Sequence, residues 1–167
     1  MGRHAGILQG SSALSGGNAA ANVVIRPVGA DERAGWEPLW NGYLTFYEAT
    51  LALGATDTTW SRLHDPNEPM FLLGAYLDGR LVGIAHYIFH RSCWTTGDYC
   101  YLQDLFVQDG LRGGGVGRKL IAAVEQEARK AGASRLHWLT REENVAARAL
   151  YDQVAERSGF IQYRKIF

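Results

Sequence analysis

The chain has 167 residues, 47% of them hydrophobic, with 17 basic against 17 acidic side chains and a sequence pI near 7.0. That length and apolar share suit a single globular domain with a proper core, and the cancelled charge supplies no global field toward nucleic acid or an anionic membrane. Cys93 and Cys100 are its only cysteines, and it has neither a signal-like start nor an apolar run of about eighteen residues, so a protein of the reducing cytoplasm with no membrane partner is expected.

Residues 1 to about 21 run through Gly10-Ser11-Ser12 and Ser15-Gly16-Gly17-Asn18 with almost no apolar periodicity, and read as a flexible N-terminal arm. A single domain is expected over 22–167. It begins with a short strand, Val23-Val24-Ile25-Arg26, closed by Pro27. From Asp31 the spacing turns helical: Trp36, Trp40, Tyr43 and Tyr47 recur at offsets of four, three and four, making one aromatic face. The plain expectation for such a face is burial. A second short helix is expected around Thr58 to His64, before the break at Asp65-Pro66-Asn67.

Met70 to Leu77 and Leu81 to Phe89 flank Asp78-Gly79 and read as a hairpin with a tight turn. Tyr99 to Val107 is apolar on both faces except at Gln103 and Asp104, as expected of a strand inside a sheet. Strand alternation puts Gln103 and Asp104 on opposite sheet faces. Gly115 to Ala131 carries Leu120, Ile121, Val124 and Ala128 on one helical face and stops at Gly132. Ser134 to Thr140 resumes as a strand, Asn144 to Arg157 as a helix, and Phe160 to Phe167 as a last strand. The order is mixed α/β.

The segment from Val107 to Arg118 joins the central strand to the amphipathic helix and carries five glycines. Such a loop presents backbone N–H groups at a helix N-terminus, where the dipole favours an anion, and phosphate is the natural guest. A Walker loop would need Lys and then Ser or Thr after its last glycine, but Gly117 is followed by Arg118 and Lys119. A dinucleotide fingerprint counted from Gly113 and Gly115 would need glycine where Arg118 stands.

What remains, Arg112-x-x-Gly115-x-Gly117 after a strand ending Leu105-Phe106-Val107, resembles the pyrophosphate-binding signature of the GNAT superfamily of acetyl-CoA-dependent N-acetyltransferases. The resemblance implies a mixed, mostly antiparallel central sheet flanked by helices, with coenzyme A bound where two central strands splay. It implies that Leu105, Phe106 and Val107 meet pantetheine, while Arg112, Gly113, Gly114, Gly115, Val116, Gly117 and Arg118 wrap the pyrophosphate. Glycine lets the backbone approach closely, and Arg112 or Arg118 can add charge.

About thirty residues on, Asn144-x-x-Ala147-Arg148-x-Leu150-Tyr151, followed by Ser158-Gly159-Phe160, is similar to the second coenzyme A motif of the same family. Asn144 can cap the helix, with Ala147, Arg148 and Tyr151 on one side. Alone, Tyr151 would be a core tyrosine with its hydroxyl at the edge. In that family the matching tyrosine sits near the thioester sulfur, so the resemblance assigns Tyr151 the catalytic role. The runs Tyr101 to Val107 and His137-Trp138-Leu139-Thr140 resemble the histone/polyamine and spermidine/spermine branch. That branch carries glutamate where this chain has Gln103, and Asp104, on the opposite face, does not simply inherit the role.

His86 and His90 lie in a strand pattern and make no metal-ligand spacing with Cys93 and Cys100, so no metal is expected. A buried small hydrophobe is the usual cysteine role. Three readings of function follow. The first is an enzyme moving acetyl from acetyl-CoA to a primary amine, a small amine or polyamine, by direct attack in a ternary complex. The alternatives are an acetyl-CoA-binding regulator without turnover and a protein-lysine acetyltransferase. A homodimer stays open, since relatives often pair.

Overall fold

The computed structural model describes residues 22–167, and the expected arm lies outside them. The elements run β1 (Val23–Pro27), α1 (Arg33–Phe46), α2 (Ala55–Leu63), β2 (Met70–Leu77), β3 (Arg80–Arg91), β4 (Asp98–Val107), α3 (Val116–Lys130), β5 (Arg135–His137) and α4 (Val145–Val154). The strands form one sheet in the order β1-β2-β3-β4-β5. The first three pairings are antiparallel and β4–β5 is parallel. This is the mixed α/β, mostly antiparallel sheet expected from the sequence.

Local chemistry sets the hairpin. Asp78 and Gly79 have φ of 51° and 77°, so both central residues of the two-residue turn are left-handed, as a turn matching strand twist requires. The sheet is buried on both faces. On one, α3 sets Val116, Leu120, Ile121, Val124 and Ala128 against Leu73, Ala75, Val82, Ala85, Cys100 and Leu102. On the other, α1 and α2 set Trp36, Leu39, Trp40 and Leu63 against Leu72, Tyr76, Ile84 and Phe106.

Two departures from the sequence reading matter. The strand expected over Phe160–Phe167 does not form: the residues after Ala155 carry no strand or helix, and Phe160, Ile161, Tyr163, Ile166 and Phe167 are exposed. A strand needs an edge to pair with, and β5 is only three residues long, shorter than the expected Ser134 to Thr140. The second departure lies in β4. His86 faces Asp104 and Tyr87 faces Leu102, which leaves Gln103 as an extra residue without a partner on β3, a β-bulge. Side-chain alternation breaks there. Gln103 consequently lines a pocket with Tyr43 and Tyr47 of α1, while Asp104 is bonded to His86, which accepts from Trp36 of α1.

A carboxylate ties the start of α1 to two strands. Glu32 accepts from both Arg26 terminal nitrogens at 2.7 and 2.8 Å, from the Gly29 N–H at 2.8 Å and from the Tyr76 hydroxyl at 3.0 Å. The Arg26 hydrogen bonds, then that from Gly29, pull its pKa from the ordinary 4.5 to about 2. A lowered carboxylate pKa stabilises the fold above the ordinary value, and the contribution is lost as pH falls through the lowered one. Glu32→Gln should thus lower the melting temperature at neutral pH by a few degrees. The deficit should shrink between about pH 4.5 and about pH 2, where wild-type Glu32 protonates. Melting curves of the two proteins across that range check it.

Candidate active site

The β4–β5 joint is short. Only Tyr99, Cys100 and Tyr101 pair with Arg135, Leu136 and His137, so from Leu102 onward the strands part and one edge of β4 loses its ladder partner. Into this opening come Tyr43 and Tyr47 from α1, Leu102, Gln103 and Leu105 from β4, Trp138 and Leu139 beyond β5, and Tyr151 from α4. The pocket is about 20 Å³, room at its narrow point for one water-sized polar group.

At the far end of β4 the glycine loop turns the chain into α3. Gly110, Gly113 and Gly115 have φ of 83°, 78° and 86°, and Gly115 is the N-cap residue. The Lys119 N–H reaches the Gly115 carbonyl, while the amides of Gly113, Gly115, Val116, Gly117 and Arg118 find no backbone acceptor among the described residues. Unpaired N–H groups at a helix start are a ready anion site. The arginines divide the work. Arg112 donates through Nε to the Val107 carbonyl at 3.0 Å, pairs with Asp109 at 3.1 Å and lies over the Phe46 and Phe106 rings; it braces the loop from beneath. Arg118 is bonded to Gln153 on the surface of α4.

The other positions singled out from the sequence fall as follows. The Phe106 and Val116 side chains are buried in the two cores. Asn144 caps α4, accepting from the Ala147 N–H at 3.4 Å and donating to Thr140 at 3.2 Å. Arg148 donates to the Glu142 carbonyl at 2.8 Å. Gly114 donates weakly to the Leu111 carbonyl. Tyr151 stands edge-on to Trp138, ring centroids 5.4 Å apart. Burial, then nearby Tyr47, pushes its pKa up to about 12, so the phenol stays protonated through the neutral range.

The aromatic face of α1 splits. Trp36 and Trp40 are core residues, stacked with centroids 5.9 Å apart, whereas Tyr43, stacked on Trp40, and Tyr47, tilted against Tyr43, line the pocket. One group of functional character was undervalued by the sequence: His86 and Asp104 are the buried polar side chains among the described residues, at 2% and 8% exposure. Their signal was the apolar company of both residues. The bulge that brings Asp104 round to the α1 side of the sheet, through His86 and Trp36, leaves no mark in the side-chain pattern. Among the described residues no three His, Cys, Asp or Glu gather as metal ligands, and no helix is long and apolar enough to cross a membrane.

A sheet that parts beside an amide-lined glycine loop, with a tyrosine at the fork, is the arrangement that the resemblance to N-acetyltransferases implied. A profile of the Acetyltransferase (GNAT) family matches residues 36–155, and the chain belongs to that family. It is 30% identical over 145 residues to a D-amino-acid N-acetyltransferase of Saccharomyces cerevisiae, covering 86% of this chain and 90% of that protein. It is 33% identical over 89 residues to the thialysine N-epsilon-acetyltransferase of Mus musculus, covering 50% and 52%. The fold matches that of a ribosomal-protein-alanine N-acetyltransferase from Brucella melitensis, with a TM-score of 0.71 at 24% identity over 87% of this chain and 99% of that one. Acetyl-CoA is the acetyl donor of the family.

The loop geometry selects a clean probe. A Cβ on Gly117 would meet only Leu150 at 3.5 Å and Val107 at 4.0 Å, ordinary contacts, whereas Gly115 sits at φ 86°. Gly117→Val should weaken acetyl-CoA binding by about tenfold or more while leaving the melting temperature close to wild type. Calorimetric titration with acetyl-CoA alongside a thermal melt measures both, and an unchanged affinity would remove the loop from the site.

Proposed function

We propose that the domain over 22–167 transfers acetyl from acetyl-CoA to the primary amine of a small, amino-acid-like or polyamine acceptor. The observation that carries the reading is the meeting of Tyr151, Tyr43, Tyr47 and the bulged Gln103 in one pocket at the point where β4 and β5 part.

Pyrophosphate would rest on the free amides of Gly113, Gly115, Val116, Gly117 and Arg118, and the unpaired edge of β4 from Leu102 to Val107 would take the pantetheine amides. The Val107 carbonyl is already held by Arg112, so the pairing falls on the residues before it. The thioester would then lie at the bulge. There the Gln103 backbone, without a ladder partner on β3, can polarise the carbonyl, an electrostatic aid that strengthens where water is excluded. The neutral amine attacks the carbonyl carbon, the C–S bond breaks, and Tyr151 donates a hydrogen bond or proton to the departing thiolate. With a pKa of about 12 the phenol remains a donor across the working range, so a falling alkaline limb below about pH 10 must come from another group.

Several features support a small acceptor. The named relatives act on a D-amino acid and on thialysine, and the tyrosine pair on α1 offers faces for an ammonium group, each contact worth about 0.5–2 kcal/mol. Arg141 donates to the carbonyl of the pocket residue Tyr47 at 2.9 Å with its guanidinium 5.3 Å from that ring, and its charge would suit an acceptor's carboxylate. This favours amino-acid-like compounds over plain polyamines within the branch the sequence resembles. The free thiols of exposed Cys93 and buried Cys100 suit the reducing cytoplasm.

Competition is the test: equimolar polyamines, D- and L-amino acids, thialysine and a lysine-rich peptide are offered together and the products read by mass spectrometry. Acetylation of the small compounds ahead of the peptide is expected, and acetylation of the peptide alone would defeat the small-amine reading. In the same assay Tyr151→Phe should keep acetyl-CoA affinity and slow turnover by about a hundredfold. Wild-type turnover in the variant, with chemistry rate-limiting, would reduce Tyr151 to packing.

A further inference from the structure

The pocket walls are built from tyrosine, tryptophan, leucine and glutamine, and no charged side chain lines them. Selection among amines that differ in charge therefore falls to groups beside the pocket. Arg141 is such a group. Its backbone stands two residues beyond the pocket residue Leu139 and is fixed in the turn before α4: the Asn144 N–H bonds to the Arg141 carbonyl at 3.1 Å, while the Asn144 side chain holds Thr140 at 3.2 Å. Its side chain crosses to the C-terminal end of α1, where Nη2 donates to the Tyr47 carbonyl at 2.9 Å and the guanidinium lies 5.3 Å from the centre of the Tyr47 ring. Arg141 thus joins two walls of the pocket. The rest of its fork is unspent: among the described residues it has no acid partner and no second acceptor, and its neighbour Glu142 pairs with Arg157 instead.

We propose that Arg141 is the residue that selects the acceptor: its guanidinium binds the carboxylate of an amino-acid acceptor and repels a second ammonium group, so that amino acids are taken ahead of polyamines. The inference rests on the amine-acetylation reading above and deepens it by naming the residue and the charge that it reads. Arg141 meets the acceptor away from the reacting atoms; it sets specificity and moves no proton.

A guanidinium carries its N–H donors in a planar fork that fits a carboxylate with two parallel bonds. The Tyr47 carbonyl occupies Nη2 and leaves Nε and Nη1 without a protein acceptor among the described residues. The tether matters because a free surface arginine gains little from an ion pair: it must first freeze a long side chain. Here part of that ordering is complete before the acceptor arrives. Discrimination is two-sided, since the charge that attracts a carboxylate opposes an extra ammonium at the same place. The same contact also serves α1, because carbonyls at a helix C-terminus lack intrahelical donors and favour a cation. A helix cap by itself, however, distinguishes no acceptor from another, and that difference separates the two roles.

Wild type is compared with Arg141→Gln and Arg141→Glu on three acceptors: an α-amino acid, the same compound as its primary amide, and a diamine. For each, kcat and KM are measured beside acetyl-CoA affinity and a thermal melt. Every variant is set against wild type on the same acceptor, so the amine's own basicity cancels. Arg141→Gln should raise KM for the free acid about tenfold more than KM for the amide, with the effect in KM and not in kcat. Arg141→Glu should deepen that loss and raise kcat/KM for the diamine above the wild-type value, reversing the order of preference. Equal changes for acid and amide, as loss of a helix cap alone would give, would overturn the assignment, and so would an Arg141→Glu enzyme that keeps the wild-type preference. Acetylation of the diamine alone by wild type would overturn it and leave the amine reading standing. Failure of wild type to acetylate any of the three would overturn the amine reading itself, so the two failures are distinguishable.

Discussion

Strand β4 is covered on both faces, yet its neighbour β5 supplies hydrogen bonds along only three of its residues. Unpaired backbone groups inside a protein are costly, and the organisation of the site follows from how this deficit is met. The Arg112 guanidinium takes the Val107 carbonyl at the end of the strand, which fixes the glycine loop at the same moment. The remaining edge faces the cleft, where an extended ligand carrying its own amides can complete the ladder. The open joint in the sheet and the pocket are one feature seen from two sides.

The bulge at Gln103 adds a second consequence. One extra residue shifts the register so that the strand faces α3 with Cys100 and Leu102 before the bulge and with Leu105 and Val107 after it. Both flanks keep a buried apolar face, and at the shift itself stand two polar residues, Gln103 and Asp104. The fold can accommodate Asp104 in its interior because His86 and Trp36 satisfy it there, and no buried side-chain polar atom among the described residues lacks a partner.

Much of this was legible in the sequence. The Asp78-Gly79 turn, the helix stop at Gly132 and the amphipathic stripe of α3 each rest on local chemistry, and each lies within a residue or two of its expected position. The glycine loop falls at the start of α3 and Tyr151 on α4, the elements on which the sequence placed them. The misses share one cause: they depend on partners remote in sequence. Nothing in Phe160–Phe167 says that the edge it would need is only three residues long. Alternation misplaced Asp104 because a bulge is a property of a strand pair. The aromatic face of α1 divided into core and pocket because the opening between β4 and β5, far along the chain, decides which rings are covered. The contacts of Arg112 with Val107 and Asp109 likewise depend on how the loop folds back on its strand.

The parallel joint also divides the domain in time. Strands β2 to β4 pair with their neighbours in order through short connections, and the β2–β3 turn closes a loop of two residues, so these contacts form at low entropic cost. The β4–β5 pairing needs the whole glycine loop and α3 as a crossover, and then yields three residue pairs. That end of the sheet is the natural last step of folding and the first to open in local unfolding. A ligand bridging the gap would be welded into the weakest seam, so hydrogen exchange there would be slowed most by the donor, and occupancy of the site would double as the final element of secondary structure.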